Sequence, residues 1–496
     1  MTLSLLTFPW DVLRSILPYL SLSDLRALLL TNTTLHALVQ REGWRSFCRN
    51  QGWNSDDVLV HRIRCIRSAI TASSSSKNHD DNDTTTITTD WNHVARVAHR
   101  LQHRWAEKQF TIATIPHRLF MPTVCFNRRT LVFNAGRRLD ISHDWSVAGK
   151  QFHAQRHIEF DAHNGDITDV LLDQADTEAQ TIWTCSVDSL IKRWELPNAD
   201  YLPSQPTQTF YGHLSAVQSI HAHYTNPSVL ASLGKDETLR LWNTTSSTPQ
   251  YTHLLSRRSW TVRFINSTDL AIGASGALAL SLYTVLPTGP EYVANLPVGA
   301  SAVYGLHANA VTDHTLAAGC FDGLVRLYDL RTHQLVSTYQ DPYDDAPVYS
   351  VSADRFHIAA GTAMHGVVRV WDARYKSDAT RMGSVKNDGV RDGWSVYLGE
   401  VRSPVYSVQM DFGRLVGVTS SGVSILDFTS SAGAEANFRG RGDRNELERN
   451  TVNRYPRNPR YQHPVNRGRS HRQQLSRLAG KRIFYNHADS STFIGE

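Results

Sequence analysis

The sequence predicts an α+β multidomain chain: a small all-α module with a helical linker, an all-β region built from repeated units, and a disordered C-terminal tail. Three observations carry this reading. A leucine-rich stretch at residues 8–47 has helical spacing, and from about residue 116 short alternating runs recur that end in variations on Trp-Asp. Residues 433–496 hold 13 Lys and Arg against 6 Asp and Glu, with few aliphatic residues, a composition that predicts disorder. The boundaries that follow are 5–50 for the module, 51–110 for the linker with a disordered insertion at 72–90, 111–430 for the repeats, and 431–496 for the tail.

In the module, Pro9 suits the first turn of a helix, where its missing N–H has no partner to lose, and Leu13, Ile16, Leu17 and Leu20 follow on one stripe. Ser23 is placed to cap a second helix carrying Leu25, Leu28 and Leu29. After the break Thr31-Asn32-Thr33-Thr34 come Leu35 and Leu38, and Trp44 and Phe47 close the packing. So short a unit exposes much apolar surface for the core it builds, so one face is expected to pack on another protein or on the downstream domain. The run Phe8-Pro9-Trp10-Asp11-Val12-Leu13, then Ile16-Leu17-Pro18-Tyr19-Leu20 and Ser23-Asp24-Leu25, resembles an F-box, with Phe8 where that family usually has Leu. The resemblance implies docking on the Skp adaptor, and through it on cullin, by Phe8, Pro9, Leu13, Ile16, Leu20 and Leu25.

The linker shows two further helical patterns. Val58, Leu59, Ile63, Ile66 and Ile70 form one, and Trp91, Val94, Ala98, Leu101 and Trp105 the other. The polar tract Ser73 to Thr86 between them cannot bury enough apolar area to offset its ordering entropy.

In the β region the third unit is clearest: Gly212-His213, Val217, Ser232, Asp236, then Leu239-Arg240-Leu241-Trp242-Asn243. This resembles a WD repeat, whose blade is one four-stranded antiparallel sheet. The unit before it matches with His163, Ile167, Thr184, Asp188 and Trp194, and later units run from Val303 to Tyr328-Asp329, Val348 to Trp371-Asp372 and Val405 to Leu426-Asp427. A degenerate unit around Trp260 and Tyr283 and a diverged first unit from Phe126 to Ser142 bring the expected count to seven blades, an all-β propeller. His213, Ser232 and Asp236 invite a catalytic-triad reading, with Trp242 beside them as a fourth member of a structural network. Repetition argues for a structural network instead, because the Asp-to-Trp spacing is the same in both clear units, 188 to 194 and 236 to 242.

A helical docking module in front of such a platform resembles the F-box/WD-repeat substrate receptors of SCF-type cullin-RING ubiquitin ligases. Phe321 to Arg331, His365 to Asp372, Ser403 to Val408 and Val423 to Phe428 look closest to that family's dactylin-like branch. The resemblance implies a non-catalytic adaptor whose propeller binds a protein substrate. In the best-understood relatives, arginines after the first-strand Val and before the turn Asp read phosphorylated degrons. Here the first position holds Thr168, Gln218, Thr261, Tyr304, Tyr349 and Tyr406, and the second holds Val187, Lys235, Gly276, Phe321, Met364 and Thr419. With no arginine in either set, the expected substrate face is an aromatic sector of Tyr304, Phe321, Tyr349 and Tyr406 with Lys235, suited to apolar or cationic side chains. The alternatives are that the tyrosines only line the channel, and that Arg257 and Arg258 contact phosphate if the fourth unit is shifted.

The five cysteines are scattered without C-x-x-C spacing, arguing against a disulfide framework and a zinc site. The chain also lacks a phosphate-binding G-x-x-x-x-G-K-[ST] loop and an H-E-x-x-H metal helix, so no cofactor or metal is expected. Charged residues interrupt the N-terminal apolar stretch, which predicts neither a signal peptide nor a membrane span; the expected location is cytoplasmic, nuclear or both. Interleaved Arg, Gly and Tyr in the tail admit a second reading, a scaffold that binds RNA through it.

Overall fold

Helices form wherever the leucine stripes run, and strands wherever the alternation does. The structure, a computed structural model, describes residues 10–31, 33–50, 90–118, 120–172, 180–196, 205–223, 228–255, 257–276, 278–299, 301–341, 345–374, 393–398 and 403–429, all within one compact unit. Phe8, Pro9, the helix expected at 58–70, nearly all of the insertion and the basic tail lie outside these residues.

The module comprises α1 (Trp10–Ile16), a 3-10 turn (Leu17–Tyr19), α2 (Leu22–Thr31), α3 (Thr33–Leu38), a π-helical turn (Val39–Gly43) and α4 (Trp44–Asn50). The cap of α2 is Ser21, not Ser23. The Ser21 Oγ accepts the Asp24 N–H at 3.1 Å while the Asp24 carboxylate accepts the Ser21 N–H at 3.0 Å, a reciprocal capping box that starts two residues before Ser23. The hydrogen bonds from Ser21 also hold the Asp24 carboxyl below the usual range.

The fifth helix, α5 (Trp91–Ala106), is capped by Asp90, whose carboxylate accepts the His93 N–H at 3.1 Å. It joins the two parts of the chain instead of only spacing them. Val94, Ala95 and Ala98 share a core with Leu25, Leu38, Trp44 and Phe47 of the module and with Phe356. One turn further on, Leu101 and Trp105 enter the core of the last two blades beside Met410 and Phe428. No helix among the described residues is long and apolar enough to cross a membrane.

Among the described residues the strands form seven four-stranded antiparallel units, here blades 1 to 7, two of them joined into one larger sheet by short pairing of Ser275 with Ala302 and Gly276 with Ser301. Their inner strands are Val124–Phe126, Ile167–Leu172, Val217–Ala222, Ser259–Phe264, Ser301–Ala308, Val348–Ala353 and Val405–Met410. Each lies beside the next, and the last lies beside the first, so the ring closes as a WD40-like propeller. The outer strand of blade 7 comes from the front of the β region: Thr111–Pro116 pairs antiparallel with Gly422–Asp427, Thr111 opposite Asp427 and Pro116 opposite Gly422. An edge that would template aggregation is thereby paired.

Within each blade the chain meanders outward, so the loops joining strands one to two and three to four lie at one end of the ring. Loops joining strands two to three, and each blade to the next, lie at the opposite end. Phe356, Phe412 and Phe428, which hold the helices, all sit at the first of these ends, which we call the module end; the other is the open end.

Candidate binding faces of the module and the ring

Two polar tetrads tie the loops of blades 2 and 3 to their strands. In blade 3 the Trp242 Nε1–H donates to Ser232 Oγ at 2.7 Å, Ser232 Oγ lies 2.7 Å from His213 Nε2, and His213 Nδ1 meets the Asp236 carboxylate at 3.1 Å. Blade 2 repeats the arrangement with Trp194, Thr184, His163 and Asp188. A neutral imidazole, donating from Nδ1 and accepting at Nε2, satisfies every member. His213 and Trp242 are enclosed in the blade, and the Asp236 carboxylate also accepts the Leu214 N–H, so the constellation fixes a loop and presents no open nucleophile.

This network gives stability a sign with pH. Burial holds His163 and His213 below the ordinary histidine range, and half-buried His307 falls to about 4. The unfolded chain therefore binds protons first, so the stability these groups contribute is present above about pH 6.5 and is lost as the pH falls through that value toward 4. Burial alone would raise the Asp188 carboxyl, but His163 and the N–H groups of Leu190 and Asn164 hold it at about 2, adding a further loss between about pH 4 and 2. Denaturant midpoints are expected to fall between pH 6.5 and 4, on the order of 3 kcal/mol from His307 alone; flat stability across that window would contradict this.

Blades 2 to 7 share a second device. Each inner strand begins with a β-bulge, and the bulged residues are Thr168, Gln218, Trp260, Tyr304, Tyr349 and Tyr406. A bulge re-aims one side chain away from the pleat. In blade 4 the position belongs to Trp260, one residue before the Thr261 that the sequence spacing selects. The same slip affects the turn positions. The backbone N–H groups of Val187, Lys235, Ser275, Phe321 and Ala363 donate to the carbonyl two residues before each bulged residue, and the Ser420 N–H donates to Ser403 Oγ. The equivalents in blades 4, 6 and 7 are thus Ser275, Ala363 and Ser420, not Gly276, Met364 and Thr419. Neither corrected set contains an arginine.

The structure gathers three of the four aromatic candidates and adds a fourth that the spacing missed. The Tyr304 ring lies 5.5 Å from Tyr349, 6.1 Å from Phe321 and 5.2 Å from Trp260, each edge to face. Trp260 is fixed by its Nε1–H donating to Ser275 Oγ at 2.7 Å, and the Arg258 guanidinium covers its ring at 4.2 Å. Among the described residues Tyr406 makes no ring contact with this group. Phe321 is 45% exposed and Met364 53%, and Phe120, Val187, Leu214 and Leu278 are also exposed in open-end loops. Tyr211 is exposed in an open-end loop as well, Leu286 lies toward the module end, and Leu254, Tyr292, Val293, Leu335 and Val336 lie on outer strands. Scattered apolar exposure is ordinary, but its concentration on one end of a ring marks a contact face.

The module has an apolar groove of its own, about 290 Å³, lined by Leu13, Ile16, Leu17, Leu20, Ala27, Leu28, Leu35, Leu38 and Val39 with Asp24 at its edge. Of the candidate adaptor contacts, Leu25 is fully enclosed and Leu13 nearly so, and both pack the module's core. Ile16, 40% exposed, and half-buried Leu20 face the groove.

Comparison with known proteins places a family on part of this chain. The family described as "WD domain, G-beta repeat" matches residues 204–243, the last strand of blade 2 and the first three of blade 3. Two curated relatives, both named "F-box/WD repeat-containing protein 4", from Homo sapiens and Mus musculus, are each 28% identical over 117 residues, 23% of this chain. The chain spans a quarter of the length of these relatives, 25%.

Proposed function

We propose that this protein is a non-catalytic substrate receptor of an SCF-type ubiquitin ligase. In this reading the module groove docks on the Skp adaptor, cullin follows through it, and the open end of the ring holds the target protein. The observation that carries the proposal is the separation of the two faces: α5 fixes the module to the module end, while the aromatic and apolar side chains crowd the other. The name shared by the two relatives supports the same assignment. Such a receptor contributes proximity, raising the effective concentration of target near the transfer machinery. Its setting would be cytoplasmic or nuclear.

Affinity purification of the full chain from cells is expected to recover Skp adaptor and cullin. Ile16→Glu, which sets a carboxylate in an apolar groove, is expected to reduce that recovery about tenfold or more with the fold intact. Ribonuclease-sensitive partners without adaptor or cullin would instead favour an RNA-bound scaffold.

A further inference from the structure

The aromatic group at the open end has a charged side that the family comparison does not assign. Lys235, half-buried, stands at the turn of blade 3, and Arg258 stacks on Trp260 at the entry to blade 4. Neither makes an ion pair among the described residues, and the nearby carboxylates are committed elsewhere. Asp236 serves His213, Asp188 serves His163, and Asp322 holds Arg326 through contacts of 2.6 and 3.0 Å. Glu237 lies on the same turn as Lys235 but is exposed and pairs with neither cation. Burial, and then the Arg258 charge, lower the Lys235 ammonium below its ordinary range, so two unneutralised cations face one another. Beyond Phe321 the exposed Asp345 has the opposite sign.

We propose that the open end takes a linear acidic peptide in which a large apolar side chain adjoins an Asp or Glu. The apolar side chain rests on Phe321, Tyr304 and Tyr349, and the carboxylate is held by Lys235 and Arg258. This rests on the receptor reading above and names the chemistry of its target. Charge complementarity selects the acid and sets its direction, because Asp345 repels it from the blade 5 side while the two cations draw it toward blades 3 and 4. A cationic guest is disfavoured, since Arg258 already occupies the Trp260 face and Lys235 adds a second like charge. Phosphate recognition draws on several bidentate guanidinium donors, whereas here one lysine joins one arginine whose plane is engaged with an indole. A carboxylate is the better match.

The test pans a random peptide display library on the full chain, followed by anisotropy measurements on synthetic copies of the enriched peptides. Enriched sequences are expected to carry an aromatic or large aliphatic residue within about three positions of Asp or Glu, the reach of a short extended segment. Lys235→Glu, Arg258→Ala and Phe321→Ser are each expected to weaken binding about tenfold, and a peptide with its acid changed to Lys should prefer the Lys235→Glu protein. Melting temperatures verify that the variants fold. Enrichment of basic peptides, no enrichment over the Phe321→Ser protein, or a gain above about tenfold on replacing the acid with phosphoserine would each overturn the proposal. Adaptor capture by the same variants separates the two readings. Lost peptide binding with intact capture confines a failure to this site, whereas specific peptide binding without any capture removes the receptor reading and leaves this one standing.

Discussion

Replacing Trp105 with alanine is expected to cost about 3–5 kcal/mol and to free the helical module from the ring. Trp105 is 1% exposed and lies between Phe428, with ring centroids 3.7 Å apart, and His357 at 4.5 Å. Its Nε1–H donates to the Phe412 carbonyl at 2.9 Å, and neighbouring Arg104 donates to the Phe428 carbonyl at 2.7 Å. Truncation therefore removes two stacked faces and leaves a carbonyl of blade 7 without its donor. Because α5 also supplies Val94, Ala95 and Ala98 to the module's core, loosening it propagates toward Trp44 and Leu25. Urea unfolding should show a lower midpoint, and limited proteolysis should release the module while the ring persists. A loss below about 1 kcal/mol would mean that α5 does not hold the parts together.

Gly422→Ala is expected to open the ring closure, at about 3 kcal/mol or more. Gly422 has φ of +146°, a backbone region that L side chains rarely adopt, and it sits opposite Pro116 in the closing pair. An added β-carbon would overlap the Ile115 carbonyl oxygen. That atom belongs to the backbone of the closing strand, so relief requires the strand to shift and not a side chain to rotate. Hydrogen exchange should accelerate along Thr111–Pro116 and its partner Gly422–Asp427 before the other blades. Uniform protection identical to the parent protein would refute the closing role.

Much of this architecture was legible because the repeats carry local signals. The spacing shared by Asp188 with Trp194 and Asp236 with Trp242 marks the tetrads, and the leucine stripes mark the helices. What was hidden depended on distance or on single residues. The closing strand pairs with residues more than 300 positions later, as in the Thr111 to Asp427 contact, so nothing near residue 111 announces it. Blade 4 has Ser259 where the other inner strands have Val or Ile ahead of the bulge, so the spacing selected Thr261 in place of Trp260 and concealed the partner of Arg258. Ser21 and Ser23 both precede an apolar run, and only the reciprocal bond with Asp24 distinguishes the cap. The role of α5 as a shared wedge was invisible for a related reason. Its stripe reads the same whether it meets solvent, a partner or two cores at once.

Under the receptor proposal one chain carries two separate docking faces, the Ile16 groove on the helices and the Phe321 sector on the ring. Light scattering of the purified full chain mixed with purified Skp adaptor tests it most directly. A one-to-one complex is predicted that Ile16→Glu abolishes and Phe321→Ser leaves unchanged. The absence of a complex with the parent chain, or a complex sensitive to Phe321→Ser but not to Ile16→Glu, would contradict it.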